Sequence, residues 1–517
     1  MKLILAFLGV FLYINLNAQH SNVLISNSNS PTEPSIAVDP KNPLRVAAGS
    51  VLDNYYYSND GGLTWDYSRI ESPEFGVWGD PTLLFDTSGA ILYFHLANPP
   101  VGSWIDRIVC QKSTDNGLTW TDSYLYKDGN KAQDKQWAII DRSNNYIHAS
   151  WTQFDSYGST TPGDSSIILY VRSTDGGASW SPAKRISFVA GDCVDSDETV
   201  EGAVPAIGPN GEVYVAWTGP LGLAFNKSLD GGITWMEREQ LITDVPGGWD
   251  FAIPGIFRAN GMPETVCDLS NGPHRGTLYV SWSDQRHGED DTDVWLVKSM
   301  DGGATWSAIK RANDDASGRH QFFHWMTIDQ VTGYLWWVWY DRRNTTENLT
   351  EVYGAVSKDG GETFTNFKIS ESAFNPKSDV FFGDYTNISA HDNVIRPIWT
   401  RLDNFDLSVY TAIINPLMVG IEQQSDASVI EMDQNYPNPV TNKTCFSFKL
   451  HKKMPVSLYV EDMLGQRVAC LMHDQTTTEL RNIITFSPTD YNLKPGVYYF
   501  NLVCNEASVR KKMIVAD

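Results

Sequence analysis

Ser58-Asn-Asp-Gly-Gly-Leu-Thr-Trp65 is an octapeptide that recurs five more times along the chain. The related copies are Ser113-Thr-Asp-Asn-Gly-Leu-Thr-Trp120, Ser173-Thr-Asp-Gly-Gly-Ala-Ser-Trp180, Ser228-Leu-Asp-Gly-Gly-Ile-Thr-Trp235, Ser299-Met-Asp-Gly-Gly-Ala-Thr-Trp306 and Ser357-Lys-Asp-Gly-Gly-Glu-Thr-Phe364. Their aspartates are separated by 55 to 71 residues. Internal repeats of this length indicate a repeat architecture and fit one blade of a β-propeller.

The chemistry of the octapeptide is that of a hairpin turn. Its aspartate can accept hydrogen bonds from turn amides, and its glycines adopt positive φ without a Cβ clash. The closing aromatic residue covers the hairpin with a large apolar surface. We therefore expect the motif to be structural and not catalytic.

The motif resembles the Asp-box, or BNR repeat, of sialidases and related propeller proteins. This resemblance implies a propeller fold with the boxes on its periphery, at the bottom and away from the active site. It also implies that function belongs to the opposite face of the fold.

Two recognisable strands precede most copies of the motif, and the second of them often ends in tryptophan. The same pair occurs once more after the sixth copy, at Gly383–Ser389 and Val394–Trp399, followed by the strand Leu407–Ile413. The pattern predicts a seven-bladed β-propeller, closed by pairing of residues 21–28 with the last blade. Because the segment 250–268 is irregular, a six-bladed propeller remains the alternative.

Composition agrees with an all-β protein. The 517 residues include 40 glycines and 18 tryptophans, and 12% are aromatic. The formal net charge of -23 argues against nucleic acid and anionic membranes as partners. It does not exclude an acidic substrate, because an arginine cluster can dominate the field inside a cleft.

The N-terminus has the pattern of a secretory signal peptide at residues 1–18. Met1-Lys2 precedes the apolar run Leu3–Leu16, and Asn17-Ala18 offers a cleavage point before Gln19. The propeller is then expected over residues 19–415. No later segment reaches the length of a transmembrane span, so none is predicted.

The C-terminal part has a different pattern. After a polar linker at residues 416–434, the region 435–517 resembles the C-terminal sorting domain of the type IX secretion system of Bacteroidetes. The resemblance rests on Tyr436-Pro-Asn-Pro439, Val456–Val468, Leu493-Lys-Pro-Gly-Val-Tyr-Tyr-Phe500 and Val509–Val515. It implies export by that machinery to the cell surface or the medium. Alternating apolar residues predict a small β-sandwich, and a carbohydrate-binding sandwich is the alternative.

Strand order places the candidate functional residues on the face opposite the octapeptides. The starts of first strands and the loops after second strands meet there, around the mouth of a central channel. The candidate catalytic residues are Asp80, Asp134, Glu201 and Tyr385. The candidate substrate-binding residues are Arg286, Arg342, Arg401, Asp284, Asp341, Asp384 and His320. Ion pairs that fix loops are the structural interpretation of the same aspartates and arginines.

The resemblance to sialidases implies a mechanism for this face. In that family three arginines hold the substrate carboxylate, a glutamate-activated tyrosine attacks the sugar and an aspartate is the acid/base. Arg286, Arg342 and Arg401 would form the cluster, and Tyr385 would be the nucleophile. The chain departs from the family at its start, where Glu33-Pro-Ser-Ile replaces the Phe/Tyr-Arg-Ile-Pro motif. Its Phe257-Arg258 pair lies far downstream and is followed by Ala259.

Three functions fit the sequence. The first is a secreted or surface glycoside hydrolase of the sialidase-like group that acts on acidic glycans. The second is a noncatalytic propeller that binds a glycan or a protein such as a glycoprotein. The third is a polysaccharide lyase, which rim histidines such as His287 and His320 favour.

No cofactor or metal is expected, since the acidic stretch 192–198 lacks the spacing of a calcium loop and is interpreted as a solvated loop.

Overall fold

The computed structural model describes residues 20–316, 318–416, 419, 430–450, 454–463, 465–476, 481–504 and 508–516. The chain separates into two compact units, Met1–Pro416 and Leu417–Asp517. The predicted signal peptide and most of the predicted linker lie outside the described residues. None of the described segments forms a helix with the length and hydropathy needed to cross a membrane.

The first unit is all-β and, over its described residues, contains seven antiparallel sheets of four strands each. Sheet 1 comprises β2 (Thr32–Val38), β3 (Val46–Val51), β4 (Asn54–Ser58) and β5 (Asp66–Arg69). Sheet 2 comprises β6 (Gly79–Phe85), β7 (Ile91–Leu96), β8 (Ile108–Ser113) and β9 (Thr121–Tyr124). Sheet 3 comprises β10 (Ala132–Asp141), β11 (Tyr146–Phe154), β12 (Ser166–Ser173) and β13 (Lys184–Arg185). Sheet 4 comprises β14 (Glu201–Ile207), β15 (Val213–Gly219), β16 (Gly222–Ser228) and β17 (Gln240–Thr243).

Sheet 5 follows a short hairpin of β18 (Asp250–Phe251) and β19 (Ala259–Asn260). It comprises β20 (Glu264–Cys267), β21 (Leu278–Asp284), β22 (Asp293–Ser299) and β23 (Lys310–Arg311). Sheet 6 comprises β24 (Gln321–Asp329), β25 (Tyr334–Asp341), β26 (Glu351–Ser357) and β27 (Thr365–Lys368). Sheet 7 comprises β28 (Asn387–His391), β29 (Val394–Asp403), β30 (Asp406–Ile413) and the N-terminal strand β1 (Ser21–Ser26).

The N-terminal strand completes the last sheet. Strand β1 pairs antiparallel with β30, with Ser21 opposite Ile413 and Leu24 opposite Tyr410. The expected pairing of the chain start with the last repeat is therefore confirmed. The irregular segment 250–268 contains both the β18–β19 hairpin and β20, which is the first strand of sheet 5.

The first strands of the seven sheets lie next to one another in sequence order. Strand β2 contacts β6, and the contacts continue through β10, β14, β20, β24 and β28. Strand β28 in turn contacts β2. Tryptophans on second strands pack between the sheets, and the fully buried ones are Trp151, Trp217, Trp282, Trp336, Trp337, Trp339 and Trp399.

Each octapeptide connects the third strand of its sheet to the fourth. In the first copy, Asp60 Oδ1 accepts hydrogen bonds from the amides of Leu63 and Thr64, at 3.0 and 2.9 Å, and from Ser58 Oγ at 2.8 Å. The same contacts recur at Asp230, where the hydroxyl and amide of Thr234 lower the pKa of the carboxyl to about 2. The motif is therefore a self-contained turn whose aspartate is occupied.

The octapeptide turns also join neighbouring sheets. The carbonyl oxygen of the fourth motif residue accepts a hydrogen bond from the preceding sheet in all six copies. The donor–acceptor pairs are Arg396–Gly61, Tyr55–Asn116, Lys112–Gly176, Arg172–Gly231, Lys227–Gly302 and Lys298–Gly360. Four of these donors directly precede the serine of their own motif. In the sixth copy the residue directly before the motif serine is Val356, which has no side-chain donor. The next sheet, sheet 7, has no octapeptide turn that could accept such a bond.

The second unit contains a three-stranded and a four-stranded sheet around one apolar core. The first sheet comprises β31 (Ile430–Met432), β32 (Thr444–Leu450) and β35 (Arg481–Phe486). The second comprises β34 (Arg467–Thr476), β33 (Pro455–Glu461), β36 (Gly496–Cys504) and β37 (Ser508–Val515). A short 3-10 helix, Pro488–Tyr491, lies between β35 and β36.

Candidate functional site

A repeated irregularity in the first strands presents side chains at their starts. Five first strands change register within their opening residues, between Thr32 and Ser35, Gly79 and Thr82, Asp134 and Trp137, Glu201 and Val204, and Phe322 and Trp325. In each, one residue of the bulge has positive φ: Glu33 (49°), Asp80 (53°), Lys135 (51°), Gly202 (75°) and Phe323 (48°). Positive φ is strained for residues other than glycine, and such bulges redirect side chains next to functional sites.

Lys135 is the centre of the resulting cluster. Its Nζ lies 2.7 Å from Asp384 Oδ2, 3.2 Å from Asp80 Oδ2 and 3.9 Å from Glu33 Oε1. The Lys135 side chain is only 5% exposed, so these charges interact largely away from solvent. The four residues come from sheets 3, 2 and 1 and from the segment just before sheet 7.

Arg258 reaches the same cluster from the β18–β19 hairpin. Its Nε donates to Asp384 Oδ1 at 2.7 Å, and its Nη1 donates to Asp195 Oδ2 at 3.1 Å. Asn260 of the same hairpin donates to the carbonyl of Asp384 at 3.0 Å. Burial would raise the pKa of the Asp384 carboxyl, but Lys135 and Arg258 hold it well below its usual range. Asp384 is therefore an ionised carboxylate near neutral pH.

Other carboxyl groups of the cluster have raised pKa values, in contrast to Asp384. Burial raises the pKa of Asp134 to about 7, with Asp80 and Asp195 adding to the rise and Lys135 opposing it. Burial and the neighbouring Asp195 and Asp134 place the pKa of Glu201 well above its ordinary value. The site therefore combines an ionised carboxylate with carboxyl groups that hold protons near neutral pH.

Tyr385 lies in an aromatic wall beside the cluster. Its ring centroid is 5.3 Å from that of Trp137 and 6.1 Å from that of Trp325, and the two tryptophan rings are 4.1 Å apart. Burial, with Asp80 and Glu33 nearby, raises the pKa of the phenol well above its ordinary value. Tyr385 is thus a neutral phenol in the resting protein.

Two predicted substrate-binding arginines form ion pairs with an aspartate two positions away. Arg286 Nε lies 2.9 Å from Asp284 Oδ1, and Trp282 Nε1 donates to the other oxygen of that carboxylate at 2.7 Å. Arg401 pairs in the same way with Asp403, at 3.1 Å from Nη2 to Oδ1. These contacts agree with the structural interpretation of the aspartate-arginine motifs.

Arg342, Asp341 and His320 are also hydrogen-bonded to other groups of the protein. Arg342 is 2% exposed and donates to Pro254 O at 2.8 Å and to Thr350 Oγ1 at 3.1 Å. Asp341 is bound by Arg343 and by the indole of Trp339. His320 Nδ1 lies 3.1 Å from Thr292 Oγ1, and burial together with Arg342 lowers its pKa to about 4. Among the described contacts, none joins Arg286, Arg342 and Arg401 to one another.

The structure thus brings together Asp80, Asp134, Glu201, Asp384 and Tyr385 from the predicted set. Four members of this cluster were not in that set, namely Lys135, Glu33, Arg258 and Asp195. The acidic stretch 192–198 is not simply a solvated loop, because Asp195 binds both Arg258 and Tyr157. The Phe257-Arg258 dipeptide was the available sequence signal for the central arginine.

One described group has metal-ligand geometry away from this cluster. Ligand atoms of His287, Asp291 and Asp293 lie within 4.8 Å of one another. His287 Nδ1 is 2.7 Å from Asp293 Oδ2, and Asn313 and Arg311 bind the other oxygen of that carboxylate. Since Arg311 and Asn313 already satisfy Asp293, we assign no metal there.

Comparison with solved structures gives propeller glycosidases at low similarity. The Penicillium chrysogenum α-L-arabinanase with arabinobiose is 16% identical, with TM-score 0.41 over 65% of this chain and 97% of that chain. The NanB sialidase from Streptococcus pneumoniae is 10% identical, with TM-score 0.43 over 72% and 84%. The Ruminococcus gnavus intramolecular trans-sialidase with oseltamivir carboxylate is 12% identical, with TM-score 0.43 over 66% and 95%. Likeness of this degree does not reveal activity.

Comparison of the chain with curated proteins gave no significant match. Comparison with protein families, in contrast, gives a match to the C-terminal unit. The family described as the secretion system C-terminal sorting domain matches residues 434–516. The C-terminal region is therefore a sorting domain, and the protein is exported through the type IX secretion system to the cell surface or the medium.

Proposed function

We propose that the protein is an exported glycoside hydrolase whose active site is the cluster around Lys135. The observation that supports this most is the contrast between two buried carboxyl groups. Asp384 is kept ionised by Lys135 and Arg258, whereas the pKa of Asp134 is raised to about 7. Pairs of carboxyl groups with divergent pKa values are the working parts of most glycosidases.

Each group has a role in this proposal. Asp134, protonated near neutral pH, donates a proton to the oxygen of the leaving sugar. The ionised Asp384 stabilises the positive charge that develops on the sugar ring, as an oxocarbenium-like transition state requires. Water then adds to the anomeric carbon and gives a proton to the Asp134 carboxylate, which restores the acid. Tyr385 acts as a hydrogen-bond donor to substrate, because its raised pKa keeps it neutral. Lys135 and Arg258 position Asp384.

The charges in the cluster indicate whether its substrate is neutral or anionic. Both cations are already paired with carboxylates. Of the three arginines expected to bind an acidic sugar, Arg286 and Arg401 are paired with nearby aspartates, and Arg342 is buried and donates to Pro254 O and Thr350 Oγ1. Since carboxylates neutralise both cations, the cluster offers little electrostatic attraction to an anionic ligand. A neutral glycan therefore fits this site better than the acidic glycans that the sequence favoured. Acidic glycans are still included among the substrates and probes to be tested.

A dependence of turnover on pH tests the proposed acid. Because Asp134 must be protonated to act, kcat/KM is expected to be high below pH 7 and to fall as pH rises through about 7. The measurement is the release of reducing sugar from a glycan that the wild-type protein cleaves, between pH 4 and 9. A rate that stays constant from pH 6 to 9 would exclude Asp134 as the general acid.

The seven sheets are, in this proposal, the blades of one seven-bladed propeller. Support comes from the contact of β28 with β2 and from the bond of Arg396 in sheet 7 to Gly61 O in sheet 1. Residues 435–517 are proposed to be a separate domain that serves export. The octapeptides then lie between blades and take no part in catalysis.

Loss of the bond between the last and first sheets tests this closure. Arg396→Ala leaves Gly61 O without its donor and is expected to lower the free energy of unfolding by about 2 kcal/mol. Urea unfolding measures the loss, and hydrogen exchange of β1 and β30 amides is expected to accelerate. Lys358→Ala, at an exposed lysine, is the control. Equal stability of the Arg396→Ala and Lys358→Ala variants would contradict closure through this contact.

A noncatalytic glycan-binding propeller is the second candidate. The exposed tryptophans Trp78 and Trp104 favour it, since exposed aromatic rings are common in binding grooves. A lyase has less support. Its base would be a tyrosinate or a histidine, but Tyr385 has a raised pKa, His287 is bound to Asp293 and His320 is bound to Thr292.

A further inference from the structure

Three aromatic rings form a row at the edge of the central cluster. The ring centroid of Trp104 is 5.7 Å from that of Trp78 and 5.5 Å from that of Tyr157, and both contacts are edge-to-face. Trp78 is 38% exposed and Trp104 is 42% exposed, whereas the tryptophans of the second strands are fully buried. Edge-to-face packing holds the rings in place and leaves ring surface open to solvent.

The row is connected to the central cluster by hydrogen bonds. Tyr157 Oη donates to Asp195 Oδ2 at 2.5 Å, and Asp195 Oδ2 also accepts from Arg258 Nη1 at 3.1 Å. Arg258 in turn binds Asp384. The innermost ring of the row is therefore one carboxylate away from the proposed active site.

Strand order puts the three rings on the face of the sheets that holds the cluster. Trp78 directly precedes β6, Trp104 lies in the connection between β7 and β8, and Tyr157 lies in the connection between β11 and β12. These positions adjoin the starts of first strands, where Asp80 and Lys135 lie. An exposed apolar patch that continues into a polar cluster is the arrangement expected of a ligand groove.

We propose that Trp78, Trp104 and Tyr157 form a sugar-binding subsite that holds the residues of a glycan chain next to the one in the central cluster. The occupant is an oligosaccharide, because pyranose rings present flat C–H faces to aromatic rings and hydroxyl groups to the adjacent Asp195. The row of similarly spaced rings matches a chain of linked sugars better than it matches a single ring. The proposal rests on the assignment of the central cluster as a glycan site.

Dependence of affinity on chain length tests the subsite. The probes are the mono-, di- and tetrasaccharides of glucose, arabinose, xylose and galacturonic acid, together with 3′-sialyllactose, titrated by calorimetry into the exported protein. For the sugar whose oligosaccharides bind, the wild-type protein is expected to bind the tetrasaccharide at least tenfold more tightly than the monosaccharide. Trp104→Ala is expected to weaken tetrasaccharide binding about tenfold and monosaccharide binding less than twofold.

The controls separate the subsite from the active site. Leu118→Ala changes an apolar residue that is 84% exposed and lies in an octapeptide turn. This variant should bind the tetrasaccharide and the monosaccharide as tightly as the wild type does. Trp104→Phe is expected to recover most of the tetrasaccharide affinity. Equal length dependence in wild type and Trp104→Ala would overturn the subsite, as would failure of every probe to bind. If the tetrasaccharide binds through Trp104 but no glycan is hydrolysed, the proposed hydrolase activity fails and the subsite stands.

Discussion

Replacement of Lys135 by methionine is expected to lower the free energy of unfolding by about 3 to 5 kcal/mol, the usual effect of removing one partner from a buried ion pair. The ammonium group lies between Asp384, Asp80 and Glu33, and nothing in methionine can replace its charge. Urea unfolding at pH 7 measures the loss. Lys358→Met, at an exposed lysine on an octapeptide turn, is the matched control and should be nearly neutral.

The pH dependence of this loss identifies its cause. Without Lys135, the buried carboxylates are expected to hold protons at higher pH, so the penalty is present above their raised pKa values and is relieved as pH falls through them. The stability gap between wild type and Lys135→Met should therefore narrow between pH 7 and pH 4. A gap that does not change with pH would mean that the lysine stabilises the fold through packing of its side chain.

Asp134→Asn is expected to have the largest effect on activity. General acid catalysis contributes about 10² to 10⁴-fold, so we expect turnover to fall about 10³-fold while the thermal midpoint stays close to that of the wild type. The loss should be much smaller for an aryl glycoside, whose leaving group departs without protonation. Asp244→Asn, at an exposed aspartate, is the control. Equal losses for both kinds of substrate would assign Asp134 a structural role.

The repeated turns could be located from the sequence because their chemistry is local. An aspartate, two glycines and an aromatic residue within eight positions determine a hairpin by themselves, and the hydrogen bonds of Asp60 and Asp230 lie within the motif. The pairing of the N-terminal strand with the last repeat was also predictable, since a series of similar sheets leaves one unpaired strand at each end.

The candidate site was predictable only in part. Residues at the starts of first strands, such as Asp80 and Asp134, follow from strand order alone. Arg258 does not, because it reaches Asp384 from a hairpin that interrupts the repeat, over 126 positions of sequence separation. The expected arginine cluster was inferred from a family resemblance, whereas Arg286 and Arg401 each have an aspartate two positions away that binds them first.

The partners of the acidic stretch illustrate the same limit. Its spacing gave no reason to connect Asp195 to a distant loop. In the fold, Asp195 is the common acceptor for Tyr157 and Arg258, and its charge helps to raise the pKa of Asp134. Contacts of this kind depend on how connections from different sheets meet, which no local pattern encodes.

Hydrolysis of glycosidic bonds by the cluster around Lys135 is the activity that we propose for this protein. Its most direct test is product release by the wild-type protein and by Asp134→Asn from a panel of neutral polysaccharides, sialosides and uronic-acid polysaccharides, followed by reducing-sugar assay and near-ultraviolet absorbance. We expect the wild type to release reducing sugar without an absorbing product, and Asp134→Asn to release about 10³-fold less. Absence of release by the wild type, an absorbing product, or equal release by both proteins would contradict the account.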